Sequence, residues 1–306
     1  MNRRLLFHRD FVQYTGGHGK VWDYFGHANA HPRWRAAVYL TPGSVPAHNP
    51  WRETSVAVEA AWSPDSAAAL FLGGEDWSAH PADDPGRPVI NLVQGVRHAD
   101  PADTLHRHLS RRAVRICVSQ AVADAIKGTG RVNGPVRVIP AALDMAKFPA
   151  CEGLREGVFI GASKQPALGR SLYDCLRAQG RDATLVDTWQ PRATFLAHLA
   201  RCRVAVMLPA ATEGFFLPGL EAMALGCATV VPDCVGNREY LRPGLNALAP
   251  AAQRDALAGA VADLDDPQLA SLLSAAGRAT ATRFGLERER SAFHAVLDAL
   301  DSLWRT

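Results

Sequence analysis

The chain has 306 residues, enough for two domains of ordinary size, and its 48% apolar content supplies a full core and excludes a disordered chain. A net charge of +3 is too mild for a nucleic-acid binder. No apolar run reaches membrane-spanning length, and Met1–Asp10 holds too short an apolar stretch for a signal peptide, so a soluble cytoplasmic protein is expected. The six cysteines, Cys117, Cys151, Cys175, Cys202, Cys227 and Cys234, form no C-x-x-C pair and read as buried free thiols. Residues 1–140 carry 16 Lys+Arg against 12 Asp+Glu, the remainder 17 against 18. Nine of the eleven histidines also precede residue 110. This more basic half suits an anionic or membrane-bound acceptor, and ordinary scatter explains it as well.

In chain order, Leu5-Leu6-Phe7 reads as a strand. Tyr14-Thr15-Gly16-Gly17-His18-Gly19-Lys20 follows, then Val21, Trp22, Tyr24 and Phe25 at helical spacing. A strand, a glycine-rich turn and a helix make an anion site, because free N–H groups at the helix start face the turn. Val21 stands where a Walker loop needs Ser or Thr, and Trp22 where a dinucleotide fingerprint needs its last glycine. A plain tight turn is the alternative. Further strands are expected over Ala36–Leu40, Ala68–Leu72, Val89–Val93, Val114–Val118 and Val136–Ile139, with a helix over Ala121–Lys127 after Ser119. Loops rich in Pro, Gly and Asp separate them, notably Ser78–Pro88. The alternation predicts an α/β fold with a mostly parallel sheet. The loop Asn91–His98 leaves the C-terminal end of a strand, where open α/β sheets bind ligands, and His98 is its candidate side chain. A solvated loop histidine is the alternative. His106 and His108 lie two apart and do not share a helix face, so with Arg107, Arg111 and Arg112 they read as a solvated basic helix and not a metal site.

A linker is expected near Pro140–Glu156, which divides the chain into domains 1–145 and 146–285 and a final helix within 286–306. The second domain opens with a strand at Val158–Gly161, and the loop Ala162–Arg170 follows. Helix 168–179, strand 183–187, helix 191–200 and strand 203–208 come next. Then stands Glu213-Gly214-Phe215-Phe216-Leu217-Pro218-Gly219-Leu220-Glu221, running on to Gly226-Cys227. Pro218 suits a first helical position and Gly226 a helix end. Glu213 therefore sits in a loop and Glu221 near the helix start, at most about 12 Å apart if all were helical. Two carboxylates so placed could hold two hydroxyl-bearing parts of one extended ligand. The alternative is an acid at a helix dipole plus an exposed helix Glu. Strand 228–231, a turn at Gly236–Tyr240, a short strand near Ala247-Leu248, helices 252–264 and 267–283, and a last helix Leu286–Trp304 complete the chain.

The segment from Pro209 through EGFFLPGLEAMALGCATVVPDCVGNREYL to about Ala249 resembles the Glu-x7-Glu signature of retaining GT-B glycosyltransferases, particularly glycosyltransferase family 4. The resemblance implies two Rossmann-like domains facing across a cleft, the second holding a nucleotide-sugar donor, and a C-terminal helix crossing back. It implies that Glu213 contacts the donor sugar and Glu221 the ribose, while the backbone of Gly214, Phe215, Phe216 and Leu217 approaches sugar and phosphates. It puts Gly16 and Gly17 against the donor phosphates and His98 near the donor sugar, and it makes VIPAALDMAKF the interdomain segment. Ser163-Lys164 replaces the family's usual Gly-Arg, so Lys164 is the diphosphate cation, with Arg170 a second candidate.

No Asp-x-Asp stands in a loop suited to a diphosphate, so neither metal nor cofactor is expected. The expected activity is retaining transfer of a UDP- or GDP-linked sugar to a glycan, lipid-linked or small-molecule hydroxyl acceptor in bacterial glycan or glycoconjugate synthesis. Peripheral contact with the inner face of the membrane stays open. An epimerase on the same scaffold, or a nucleotide-sugar-binding subunit without catalysis, remains the alternative.

Overall fold

The computed structural model describes residues 2–81, 86–150 and 153–305. It divides into Met1–Ala141 with Leu286–Thr306, and Ala142–Gly285. The middle of the expected loop Ser78–Pro88, and Cys151 in the expected linker, lie outside the described residues.

Among the described residues the first unit holds seven strands: β1 (Arg3–Arg9), β2 (Trp34–Leu40), β3 (Val58–Glu59), β4 (Ala69–Gly73), β5 (Val89–Val93), β6 (Val114–Cys117) and β7 (Val136–Val138). They form one sheet in the order β3-β2-β1-β4-β5-β6-β7, every pair parallel. Leu5 lies between Ala36 of β2 and Ala69 of β4. Its central strands are buried on both faces, which is why they read as unbroken apolar runs rather than alternating ones. The helices here are α1 (Gly16–Ala30), α2 (Pro50–Glu53) and α3 (Gln120–Gly128). The Thr15 side chain caps α1 by accepting from His18 N, and Ser119 caps α3 by accepting from Val122 N. Strand order runs outward from β1 to β3 on one side and from β4 to β7 on the other. The crevice between the C-terminal ends of β1 and β4 is therefore a topological switch point.

The second unit is smaller in sheet: β8 (Val158–Gly161), β9 (Ala183–Val186), β10 (Val204–Met207) and β11 (Ala228–Val230), parallel in the order β11-β10-β8-β9. Its helices are α4 (Pro166–Ala178), α5 (Arg192–Arg201), α6 (Leu217–Ala224), α7 (Arg254–Asp263) and α8 (Pro267–Ala281). Val158, Ile160, Val204 and Val206 pack with Leu172 and Leu176 of α4, Leu257 and Val261 of α7 and Leu273 of α8. The switch point here lies between β8 and β10. Helix α6 begins at Leu217, one residue before the expected Pro218, and Gly226 takes φ +78° just beyond its end. The expected strand near Ala247-Leu248 reduces to single bridges, Val230 to Leu248 and Pro243 to Ala247.

After Gly285 the chain rejoins the first unit through α9 (Leu286–Asp298) and α10 (Leu300–Arg305). The single helix expected over Leu286–Trp304 is interrupted at Ala299, although hydrogen bonds from Ala299 N to Ala295 O and from Leu303 N to Ala299 O cross the break. Phe293 of α9 packs edge-on to Tyr24 of α1 at 4.8 Å. The expected basic helix is also corrected. Residues Thr104–Ser110 form a 3-10 helix, and His108 is buried, stacked on Trp77 at 5.8 Å and 12°. Arg111 donates to the Trp77 and Pro81 carbonyls, so His108 and Arg111 are tied into the unit, while Arg107 is exposed.

Cys117, Cys175, Cys202, Cys227 and Cys234 are free, and burial pushes the Cys117 thiol up to about 12. No helix among the described residues is long and apolar enough to cross a membrane.

Candidate functional site

In the second unit two loops leave the sheet side by side at the switch point. One follows β8 and carries Ala162, Ser163, Lys164 and Gln165. The other follows β10 and runs from Leu208 to Phe216. The backbones meet where Leu208 N donates to Gly161 O at 2.9 Å, and Gln165 Nε2 donates to Pro209 O at 2.5 Å. This arrangement brings together Lys164 and Glu213, 49 positions apart. Lys164 Nζ lies 3.7 Å from Glu213 Oε1, close enough to attract and too far to hydrogen-bond. That Oε1 atom is buried and accepts no hydrogen bond among the described residues. A buried carboxylate oxygen without a donor is uncommon in a folded protein and calls for a partner from outside it.

Backbone donors surround the same place. Helix α4 starts at Pro166 without a side-chain cap, so its first N–H groups are left for water or an anion. The Phe215 N–H has no acceptor among the described residues. Phe216 N donates to Gly236 O and Leu217 N to Phe215 O. The Phe215 and Phe216 side chains are buried, Phe215 against Tyr240 and Phe284, which leaves backbone rather than rings toward a ligand.

The Glu213 loop is held from below by residues that sequence reasoning read only as a turn. The 3-10 turn Val235–Asn237 clasps it, with Val235 N donating to Ala211 O. A Cβ on Gly236 would stand 2.8–2.9 Å from the Glu213 carbonyl and Cβ, so only glycine permits that approach. Tyr240, fully buried and with its phenol pushed well above the usual value by that burial, donates to Phe216 O at 2.6 Å. Gly219 leaves room for the same hydroxyl, which a Cβ would meet at 2.5 Å.

Glu221 lies on α6 and is buried, so the alternative of an exposed helix Glu is wrong. Arg192, the first residue of α5, donates to Glu221 Oε1 at 2.5 Å. Sequence reasoning missed Arg192, for only the fold brings it to Glu221. Arg170 does not join Lys164 in an ion pair. It pairs with Asp187 at 2.6 Å on an exposed face.

Gly16, Gly17 and His98 belong to the first unit. Gly16 opens α1, so Gly16–Lys20 form the first turn of that helix and not the expected glycine-rich turn ahead of it, and the Gly17 carbonyl accepts from Gln94 Nε2 at 3.2 Å, which joins this end of α1 to the loop after β5. His98 sits in a 3-10 turn, Val96–Ala99, and is 5% exposed, so it is not a solvated loop histidine. Burial lowers its pKa to about 4, helped by the charge of Arg97. A ring so weakly basic is neutral at pH 7 and ill-suited to general-base work. A cavity of about 440 Å³ opens beside Tyr39, Thr41, Arg52 and Glu59, at the ends of β2 and β3, and none of the sequence-predicted residues lines it. Among the described residues no three His, Cys, Asp or Glu side chains gather closely enough to hold a metal ion.

Residues 155–266 match the family model described as glycosyl transferases group 1. No curated protein sequence matches the chain. Among solved structures, HepE of Anabaena in complex with UDP-glucose superposes with a TM-score of 0.80 at 15% identity, over 98% of this chain and 100% of that one. The sucrose-phosphate synthase of Thermosynechococcus elongatus gives 0.72 at 14% identity, over 98% and 100%. A glycosyltransferase of Rickettsia africae gives 0.69 at 10%, over 100% and 99%. The chain thus has the GT-B glycosyltransferase fold, and its second unit carries the match to the glycosyl transferases group 1 family.

Proposed function

We propose that this protein transfers a sugar from a nucleotide-sugar donor to a hydroxyl acceptor with retention of configuration, in glycan or glycoconjugate synthesis. The observation that carries the reading is Glu213 Oε1, buried without a hydrogen-bond donor and 3.7 Å from the Lys164 ammonium. A sugar hydroxyl supplies the donor that this oxygen lacks, and a charge-assisted bond of that kind is about twice a neutral one. Lys164, exposed and only loosely paired, is placed to attract a departing diphosphate. The Phe215 N–H and the uncapped start of α4 are fixed dipoles for the same charge. Groups already oriented toward charge that develops in the transition state lower the barrier without reorganising. The acid on the sugar side favours the positive charge that grows on the ring as the bond breaks. Glu221, with one oxygen held by Arg192, is the ribose contact in this reading, and His98 is a neutral sugar contact. The complexes of HepE with UDP and UDP-glucose favour a UDP-linked donor over a GDP-linked one.

With Lys164 and backbone amides as the counter-charge, turnover is expected without a divalent metal. The test is incubation with UDP-glucose in excess EDTA, reading released UDP and the anomer of the released sugar. Slow release of UDP with the donor's own anomer first in solution is the expected outcome. Dependence on added magnesium, or the opposite anomer, would remove the mechanism. An isomerised donor would mark an epimerase, and binding without turnover a catalytically silent subunit.

A further inference from the structure

The switch-point crevice of the first unit holds a chain of polar side chains that the sugar-transfer reading leaves unused. Asp76 lies in the 3-10 helix Gly74–Ala79 that leaves β4 and is 4% exposed. Its Oδ1 faces His8 Nδ1 at 3.0 Å. Its Oδ2 accepts from Arg9 Nη1 at 2.5 Å and from Gly73 N at 3.2 Å. Arg9 is the last residue of β1, and its other terminal nitrogen, Nη2, lies 3.1 Å from His18 Nδ1 in the first turn of α1. Phe11 packs against the same ring at 4.9 Å. The order is thus His8, Asp76, Arg9, His18, spanning both strands that flank the switch point.

A guanidinium can only donate. The Nδ1 atom facing it must carry a lone pair, so the His18 proton sits on Nε2. Asp76 holds the guanidinium in place and balances its charge. The groups that face His18 are Arg9, Asp76 and Asp10. Burial and then Arg9 lower the His18 pKa to about 4, against a weaker upward pull from the two carboxylates. The ring is therefore neutral from pH 5 to 8. Its Nε2 has no protein partner among the described residues and is reached by solvent.

We propose that His18 is a substrate-binding residue whose Nε2–H donates to a sugar hydroxyl oxygen, with Arg9 and Asp76 as positioning residues that lock the ring's tautomer. This rests on the sugar-transfer reading above. A ring locked as a neutral donor accepts no proton, so His18 orients a hydroxyl and does not deprotonate it. A neutral hydroxyl is the suitable partner, because an anionic phosphate would be served better by a charged ring.

The tautomer is tested first, without ligand, on the full chain labelled with 15N-histidine. Long-range 1H–15N spectra should give His18 an unprotonated Nδ1, a protonated Nε2 and no titration between pH 5 and 8. A proton on Nδ1, or titration near 6.5, overturns the proposal. The hydroxyl role is then tested with His18→Leu, which removes the donor, and His18→Gln, which keeps an N–H near the Nε2 position. Hydrolysis of UDP-glucose reads a hydroxyl of the donor sugar, and transfer to added glucose reads one of an acceptor. His18→Leu should lower kcat/KM about five- to tenfold in one of these arms, the scale of one neutral hydrogen bond, with UDP affinity by calorimetry unchanged and most of the loss recovered in His18→Gln. Wild-type rates in both arms for His18→Leu overturn the hydroxyl role. Failure of wild-type protein to bind UDP-glucose at all sinks the sugar-transfer reading and this role with it, while the ligand-free spectrum still decides the tautomer.

Discussion

Glu213 and Glu221 share one motif and have different surroundings, so their substitution should be read by different measurements. Glu213 has an unsatisfied buried oxygen and a loosely placed lysine beside it. Glu213→Gln keeps the shape and removes the charge. It should lower kcat by tenfold or more, roughly 1.4 kcal/mol or above, with UDP affinity by calorimetry nearly unchanged. Loss of UDP binding at constant kcat would give Glu213 to the nucleotide instead. Glu221 is 3% exposed in its side chain and bonded to Arg192, so Glu221→Ala removes half of a buried pair as well as the proposed ribose contact. Its loss of a hydrogen bond to a charged group is worth on the order of 1.5–3 kcal/mol, and part of it should be seen as a lower Tm. Glu221→Gln is the cleaner probe of donor KM, and a donor KM equal to wild type in that variant would make Glu221 a purely structural acid. Lys164 and Glu213 were singled out through the resemblance to the glycosyltransferase signature, and the fold brings them together in loops that follow two apolar strands. Arg192 was not, nor were Arg9 and Asp76 as partners of His18. Their pairings span 29 and 67 positions and leave no local pattern.

At the scale of elements, what the sequence shows depends on length and repetition. Val89–Val93 and Val158–Gly161 are found where their apolar runs predict them, because a buried parallel strand is a continuous hydrophobic segment. The strand β3, two residues long, and the short helix α2 carry no period to detect. The turn after β11 was visible as Gly236-Asn237, but its task was not. Its glycine is required by contact with another loop rather than by φ, which is not positive there. Gly236→Ala should therefore displace the Glu213 backbone. Overpacking of this kind costs about 1–3 kcal/mol, and turnover of UDP-glucose should fall further than stability alone explains. Thermal unfolding beside hydrolysis rates separates the two. Unchanged turnover in a Gly236→Ala variant with an unchanged Tm would mean that the loop has another resting position.

At the scale of the whole molecule, the first unit is closed by both ends of the chain. Lys20 and His27 of α1 meet Glu289 of α9 in the interior, at 3.0 and 2.9 Å. Burial pushes the Glu289 carboxyl up, but Lys20 and His27 outweigh it and hold the pKa below the usual range. Removing one partner of such a pair leaves a buried charge and typically costs about 3–5 kcal/mol. Glu289→Gln should lower the unfolding midpoint accordingly, and an unchanged midpoint would show that Asp23, at 2.7 Å from Lys20, suffices alone. Acid should act on the same unit through its histidines. His18 and His98 have pKa values lowered to about 4, and burial also lowers His31 and His108. The unfolded chain binds these protons near 6.5, and the folded one refuses them until about 4 for His18 and His98. For His98 the stability contribution is thus complete above about 6.5 and is lost as pH falls from there toward 4, at about 1.4 kcal/mol per pH unit for the proton taken up on unfolding, and His18, His31 and His108 act in the same direction. The Glu289 contribution is present above the ordinary carboxylate pKa and fades only as pH falls through its lowered value, below most of this window. Six of the seven tryptophans, all but Trp189, lie in the first unit, so their fluorescence reports its unfolding. The urea midpoint read by tryptophan emission should fall steadily from pH 7 to 4.5, and His98→Gln should flatten that slope by one proton. A midpoint constant over this range would mean that the buried rings are protonated in the folded unit as readily as in the unfolded chain.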